Sequence, residues 1–169
     1  MTDIMGPMQS SDTEVILKIY TQSIARRQVT FETQVPACEK WDSAHIPECH
    51  IVTETDDVMF DWDTLPKGLQ QKVCESVVEV SSYISGNLQK IGIVSILLEC
   101  LITSAKEANL WTLQAQIFPE KSPSISLLKK HGFRQNVTQE KIALMTICTM
   151  AGLWRDVVLM ERRSKRVGD

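Results

Sequence analysis

Residues 78–102 read VEVSSYISGNLQKIGIVSILLECLI, and the change of period within this stretch decides the architecture. It begins as an extended strand. Val78, Val80, Ser82 and Ile84 share one face, and Val77, Glu79, Ser81 and Tyr83 share the other. A short polar loop follows. The apolar positions then take helical spacing, with Ile93, Val94, Leu97, Leu98 and Leu101 on one side and Glu99 and Lys106 pointing away. Gln89-Lys90-Ile91-Gly92-Ile93-Val94 lies where loop becomes helix. The first N–H groups of a helix lack intrahelical partners and carry partial positive charge, so this junction suits a phosphate group.

Elements on either side fall into a consistent order. Ser11-Asp12 can cap a helix from Thr13 to Arg26, whose Val15, Ile16, Ile19, Tyr20 and Ile24 follow helical spacing. VTFETQVP is extended and ends at Pro36, and a short helix from Pro36 to His45 is expected after it. His50 to Thr55 and Val58 to Leu65 flank Asp56-Asp57 as a hairpin. Val73 to Ile84 reads as one long strand, and Trp111 to Phe118 as another. Ser122 is read as an N-cap, with Pro123 at the first helical position of a helix that runs to Lys130. His131 then serves the helix end, with Gly132 available for a left-handed cap. Asp156 to Glu161 closes the chain as a strand, and the basic run ERRSKR is read as a solvated tail. Strands and helices alternate through the second half, which predicts a mixed α/β (α+β) sheet in a single domain over residues 1–169.

A length of 169 residues suits one sizeable core. The net charge of −3 gives no reason to expect nucleic acid or an anionic membrane as a general partner. The N-terminus has no basic region followed by an apolar run, and Ile91 to Ile102 is too short to span a bilayer. The five cysteines are scattered and form no CxxC pair, as expected of free thiols in a reducing, cytoplasmic setting. Cys38, His45, Cys49 and His50 fit no standard zinc spacing, so no metal is expected.

Five segments in order resemble a known family. They are IYTQSIARRQVTFET, VEVSSYIS, the Gln-x-x-Gly loop, LWTLQAQIFPEKSPSISLLKKHGFR and WRDVVLMERRS. Together they resemble the GNAT acetyltransferases, in the branch that contains the phosphinothricin and methionine-sulfoximine N-acetyltransferases. The resemblance implies a central mixed sheet that splays beside the strand carrying Glu79, with acetyl-CoA in the opening. Its pantetheine arm would pair with the main chain of Ser82, Tyr83 and Ile84. Its pyrophosphate would lie on the loop of Gln89, Lys90, Ile91, Gly92, Ile93, Val94 and Ser95, with Lys121 and Ser124 also beside the cofactor. Glu79 would orient the acceptor amine or take its proton, and Phe31, Gln71, Val80 and Ser81 would line the substrate pocket. Acyl transfer needs a neutral amine, a thioester at attacking distance and donors for the developing oxyanion, which explains these residue types. Homodimers are common in this branch, so a homodimer is expected.

Several positions depart from the family pattern. Val94 replaces a Gly or Ala, and Lys121 stands where an Asn contacts CoA. Leu128 occupies a position often held by His or Tyr, which can protonate the leaving thiolate. Gln71 and Cys74 replace an Arg and a Tyr, and Asp61 and Asp63 stand in a strand that usually reads Gly-Trp-Ala. The expected activity is acetyl transfer to the primary amine of a small amino-acid-like substrate by direct attack. The alternatives are a binding protein on the same fold with weakened catalysis, or a peptide or protein N-acetyltransferase. Trp154 and the run ALMTICTMAGLW are read as acceptor pocket, dimer contact or partly buried loop.

Overall fold

Seven strands and three helices are present among the described residues of this computed structural model, which are 4–7, 9, 12–26, 35, 37, 49, 51–55, 58–65, 76–83, 92–145 and 152–166. The strands are β1 (Ile4–Pro7), β2 (Ile51–Thr55), β3 (Val58–Leu65), β4 (Val77–Tyr83), β5 (Thr112–Ile117), β6 (Arg134–Leu144) and β7 (Trp154–Arg163). The helices are α1 (Thr13–Arg26), α2 (Ile93–Glu107) and α3 (Ser122–Lys130). The sheet order is β1-β2-β3-β4-β5-β7-β6. Only β4 and β5 are parallel, and α2 makes the crossover that a parallel pair requires. The remaining neighbours are antiparallel, so the predicted mixed sheet is present.

Packing assigns the helices to faces. Leu97, Leu98 and Leu101 of α2 have no exposed surface, and they share one core with Ile51, Val78, Val80, Leu113, Ala115 and Met160. Leu128 of α3 joins the same core. Ile16 of α1 packs instead with Val52. Ile51 and Val52 are consecutive in β2, so they project to opposite faces. Thus α1 covers one face of the sheet, while α2 and α3 cover the other.

The hairpin reading holds: Thr55 pairs with Val58. Helix α1 has the expected limits. The helix expected from Pro36 to His45 falls outside the described residues except for Ala37. The long strand begins at Val77, because Ser76 is in a turn and its carbonyl accepts from the N–H groups of Trp111 and Thr112. That contact sets the start of the β4–β5 pairing.

Three expectations need correction. Lys121, not Ser122, is the N-cap of α3, since the Ile125 N–H already bonds to the Lys121 carbonyl at 3.1 Å. The ERRSKR run is partly strand: Glu161, Arg162 and Arg163 pair with β5, and Glu161 is buried. The loop alternative for the run ALMTICTMAGLW fails at its ends: Ala143 and Leu144 belong to β6, a strand not expected from the sequence, and Trp154 opens β7.

Helices α2 and α3 close in the same way at their C-terminal ends. At α3 the Phe133 N–H bonds to the Leu128 carbonyl and the Gly132 N–H to the Lys129 carbonyl, with Gly132 at φ 82. At α2 Asn109, at φ 56, takes the same part, with the Leu110 N–H on the Ala105 carbonyl. These are Schellman closures, and at α3 the buried Phe133 and Leu128 supply the accompanying apolar contact.

Candidate active site

The site begins where β4 and β5 part. Their pairing covers Val77–Thr112, Val78–Leu113 and Glu79–Gln114, and then stops. Beyond it β4 continues through Val80 to Tyr83 beside β3 alone, and β5 continues through Ala115 to Ile117 beside β7 alone. Glu79 therefore stands at the fork. The facing edges of the two strands carry main-chain donors and acceptors that no strand among the described residues pairs. An extended chain bearing amides can lie along such an edge as a strand does.

Burial follows the alternation. Val78 and Val80 enter the core, while Val77, Glu79 and Ser81 are half-buried on the opposite face. Register carries the face of Val52 through position 61 to position 83, so Glu79 and Ser81 lie on the α1 side. Burial pushes the Glu79 carboxyl above the usual carboxylate range. A carboxylate with a raised pKa in a cleft has the character of a general base.

The second half of the site is the start of α2. Gly92 is its N-cap, at φ 73, and among the described residues no side chain caps the turn. The Ser95 N–H is already bonded to the Gly92 carbonyl at 3.0 Å. Ile93 and Val94 are the first helical residues, whose amides the intrahelical ladder does not use. These open amides, with no acidic residue in the first turn, fit an anionic phosphate group. Val94 is half-buried and packs against the core cluster. Its branched side chain is thereby directed inward, which accommodates the departure from Gly or Ala.

The other expected residues are dispersed. Ser82 and Tyr83 end β4, opposite Trp62 and Asp61 in the register. Lys121, half-buried, holds the turn after β5 through its N–H on the Phe118 carbonyl. Ser124 is exposed in the first turn of α3. Leu128 is buried in the core and offers no proton. Phe31, Gln71, Ile84, Gln89, Lys90 and Ile91 lie outside the described residues, as does Cys74. Among the described residues no group of three or more His, Cys, Asp or Glu could hold a metal, and no helix is long and apolar enough to cross a membrane.

Two features were not read from sequence. Gln114 lies beside Glu79 across the last β4–β5 pair. Arg155 of β7 is buried, stacks over the Phe118 ring at 3.7 Å from its centroid and pairs with Glu120. Burial lowers its pKa. It ties the turn after β5 to β7. An apolar residue before a Pro–Glu turn gives no sequence signal of a cation on a distant strand.

The sequence profile of the Acetyltransferase (GNAT) domain matches residues 7–144. YwnH of Bacillus subtilis (strain 168), named for phosphinothricin acetyltransferase activity, is 28% identical over 129 residues, which are 73% of this chain and 79% of that protein. A crystal structure named for phosphinothricin N-acetyltransferase is 26% identical, with a TM-score of 0.81 over 96% of this chain and 98% of that one. A GNAT superfamily phosphinothricin acetyltransferase from Sinorhizobium meliloti, solved with acetyl-CoA, superposes with a TM-score of 0.84 over 99% of this chain and 91% of that one, at 20% identity.

Proposed function

Because the chain belongs to the GNAT acetyltransferase family, its reaction is acetyl transfer from acetyl-CoA, and we propose that the acceptor is the primary amine of a small amino-acid-like molecule. The substrates named for its relatives, of the phosphinothricin type, support that class. The observation that carries the reading is Glu79 at the fork of β4 and β5, half-buried, with its carboxyl pKa raised.

Acetyl-CoA would supply the activated acyl group; the free edge of β4 would hold its pantetheine and the amides following Gly92 its pyrophosphate. Glu79 accepts the proton of the ammonium, directly or through water, and leaves the amine lone pair free to attack the thioester carbonyl. Main-chain N–H groups at the opening receive the developing oxyanion. The new C–N bond forms as the C–S bond breaks; the nitrogen gives its surplus proton to water, and the departing thiolate takes a proton from solvent, since Leu128 holds none. No covalent enzyme intermediate is formed.

A homodimer and a cytoplasmic location complete the proposal. The exposed apolar residues Ile142, Leu144, Leu153 and Trp154 gather at the end of the β6–β7 pair and support a contact there. The free thiol of Cys100 suits a reducing compartment.

The test is thiol release from acetyl-CoA in the presence of methionine sulfoximine and related amino acids. Glu79→Gln should lower kcat by about 10²–10⁴-fold with cofactor affinity retained. Binding without turnover on any amine would favour a binding protein on this fold. Turnover only on peptides would replace the acceptor class. Unchanged kcat in Glu79→Gln would remove Glu79 from the mechanism.

A further inference from the structure

Among the described residues no side chain caps the start of α2, and a Gly stands at its N-cap. Such a first turn frays unless something outside the helix holds it. The hold comes from the far end of α3. The Ser95 hydroxyl and His131 Nε2 lie 2.7 Å apart, and His131 Nδ1 is 3.7 Å from Glu99 Oε1, one turn further along α2. The His131 side chain is 7% exposed. Its own backbone is fixed by the Schellman closure of α3 and by Arg162 Nε, which donates to its carbonyl at 3.1 Å. The imidazole is therefore a rigid post, and α2 is the element it steadies. Ser95 is committed twice, its N–H to Gly92 and its hydroxyl to the imidazole. The amides left for an anion are those just before it.

We infer that His131 is a positioning residue for the cofactor: through Ser95 it braces the uncapped first turn of α2, so that the amides following Gly92 are held ready for the pyrophosphate. The inference rests on the acetyl-CoA reading above. Ser, His and Glu in this order also suggest a nucleophile relay, but Glu99 is 66% exposed and stands beyond hydrogen-bond reach. It neither fixes the imidazole tautomer nor keeps water out, as a relay needs.

The test is a cycle of Ser95→Ala, His131→Ala and the double variant, with His131→Gln as the variant that keeps a polar group at similar reach. Kd for acetyl-CoA, kcat at saturation and Tm are measured for each. Either alanine should weaken acetyl-CoA binding about tenfold, as loss of one hydrogen bond in a preorganised site does. The double variant should be no weaker than either single one, kcat should stay within about twofold, and His131→Gln should recover most of the affinity. An unchanged Kd with a lowered Tm would make the contact merely structural and overturn the inference. So would losses that multiply to about a hundredfold in the double variant. If the wild-type protein binds no acetyl-CoA at millimolar concentration, the cofactor reading itself falls and the inference with it. Wild-type binding with indifferent variants removes the inference alone.

Discussion

Alanine at Gly92 separates the role of this residue in folding from its role at the cofactor. Gly92 has φ 73, and a Cβ built on it meets nothing within 4 Å. The cost to folding is therefore backbone strain alone, about 1–2 kcal/mol for an L-residue in the left-handed region. In a chain of this size 1 kcal/mol moves Tm by about 2–4 °C, so the expected fall is roughly 2–8 °C. Gly152 is the internal control. Its φ is 83 and its Cβ would also meet nothing within 4 Å, so Gly152→Ala should lower Tm by a similar amount. The two differ at the ligand. A methyl group at position 92 stands at the mouth of the α2 turn, and acetyl-CoA binding should weaken by about tenfold or more, whereas Gly152→Ala leaves it unchanged. Asn tolerates the left-handed region better, so Gly92→Asn should recover part of the Tm without recovering affinity. Calorimetric titration and thermal melts on these variants supply every number needed. Equal Tm losses with equal acetyl-CoA affinity in Gly92→Ala and Gly152→Ala would refute the reasoning, because the pyrophosphate would then not rest on this turn.

Glu79 governs the pH dependence. Its folded pKa lies above the unfolded one, so the folded state holds the proton to higher pH. Stability should fall as pH rises from about 4.3, the ordinary glutamate value, through the raised value, while kcat should fall as pH drops through that same raised value. Glu79→Gln should flatten the first profile and raise Tm at neutral pH; a lower Tm there contradicts the burial argument. Leu101 has no exposed surface within the α2 core, and Leu101→Ala should cost about 2–5 kcal/mol in urea denaturation. A loss below about 1 kcal/mol would mean that α2 does not pack as described. Arg155→Ala should cost about 1–3 kcal/mol through the lost stack on Phe118 and the lost pair with Glu120. Arg155→Lys, which keeps the charge but not the planar group, should recover only part of it. Trp154→Glu should convert a dimer to a monomer in sedimentation velocity; an unchanged dimer places the interface elsewhere.

The parts of the fold that bury one regular face were legible. Helix α2 shows its apolar spacing because Leu97, Leu98, Leu101 and Ile102 must all reach one core, and β4 alternates because Val78 and Val80 do the same. Strand β6 escaped for the opposite reason. It lies at the sheet edge, most of its residues are exposed, and its register shifts between Gln139 and Ala143. Lys141 there takes φ 50 and donates its N–H to Asp156 Oδ1 at 2.8 Å. A bulged edge strand has no buried face from which a period of two can be read. The places of Glu79 in β4 and of Gly92 at the start of α2 were legible because each is fixed by the strand-loop-helix order. His131 was read only as a helix end. Its bond to Ser95 spans 36 residues of chain, and no local spacing encodes it.

The fork between β4 and β5 also has a mechanical meaning. Among the described residues three paired positions join strands β1 through β4 to β5, β7 and β6 within the one sheet, and the core under α2 spans both parts. Those pairs act as the root of a tuning fork, with β4 and β5 as its tines. A ligand lying along the free edge of β4 then does more than occupy a cleft. Reaching from one tine toward the other, it would add a crosspiece beyond the short seam. Because Glu79 stands in the last pair of that seam, the free edge and the carboxyl beside it are carried by one strand.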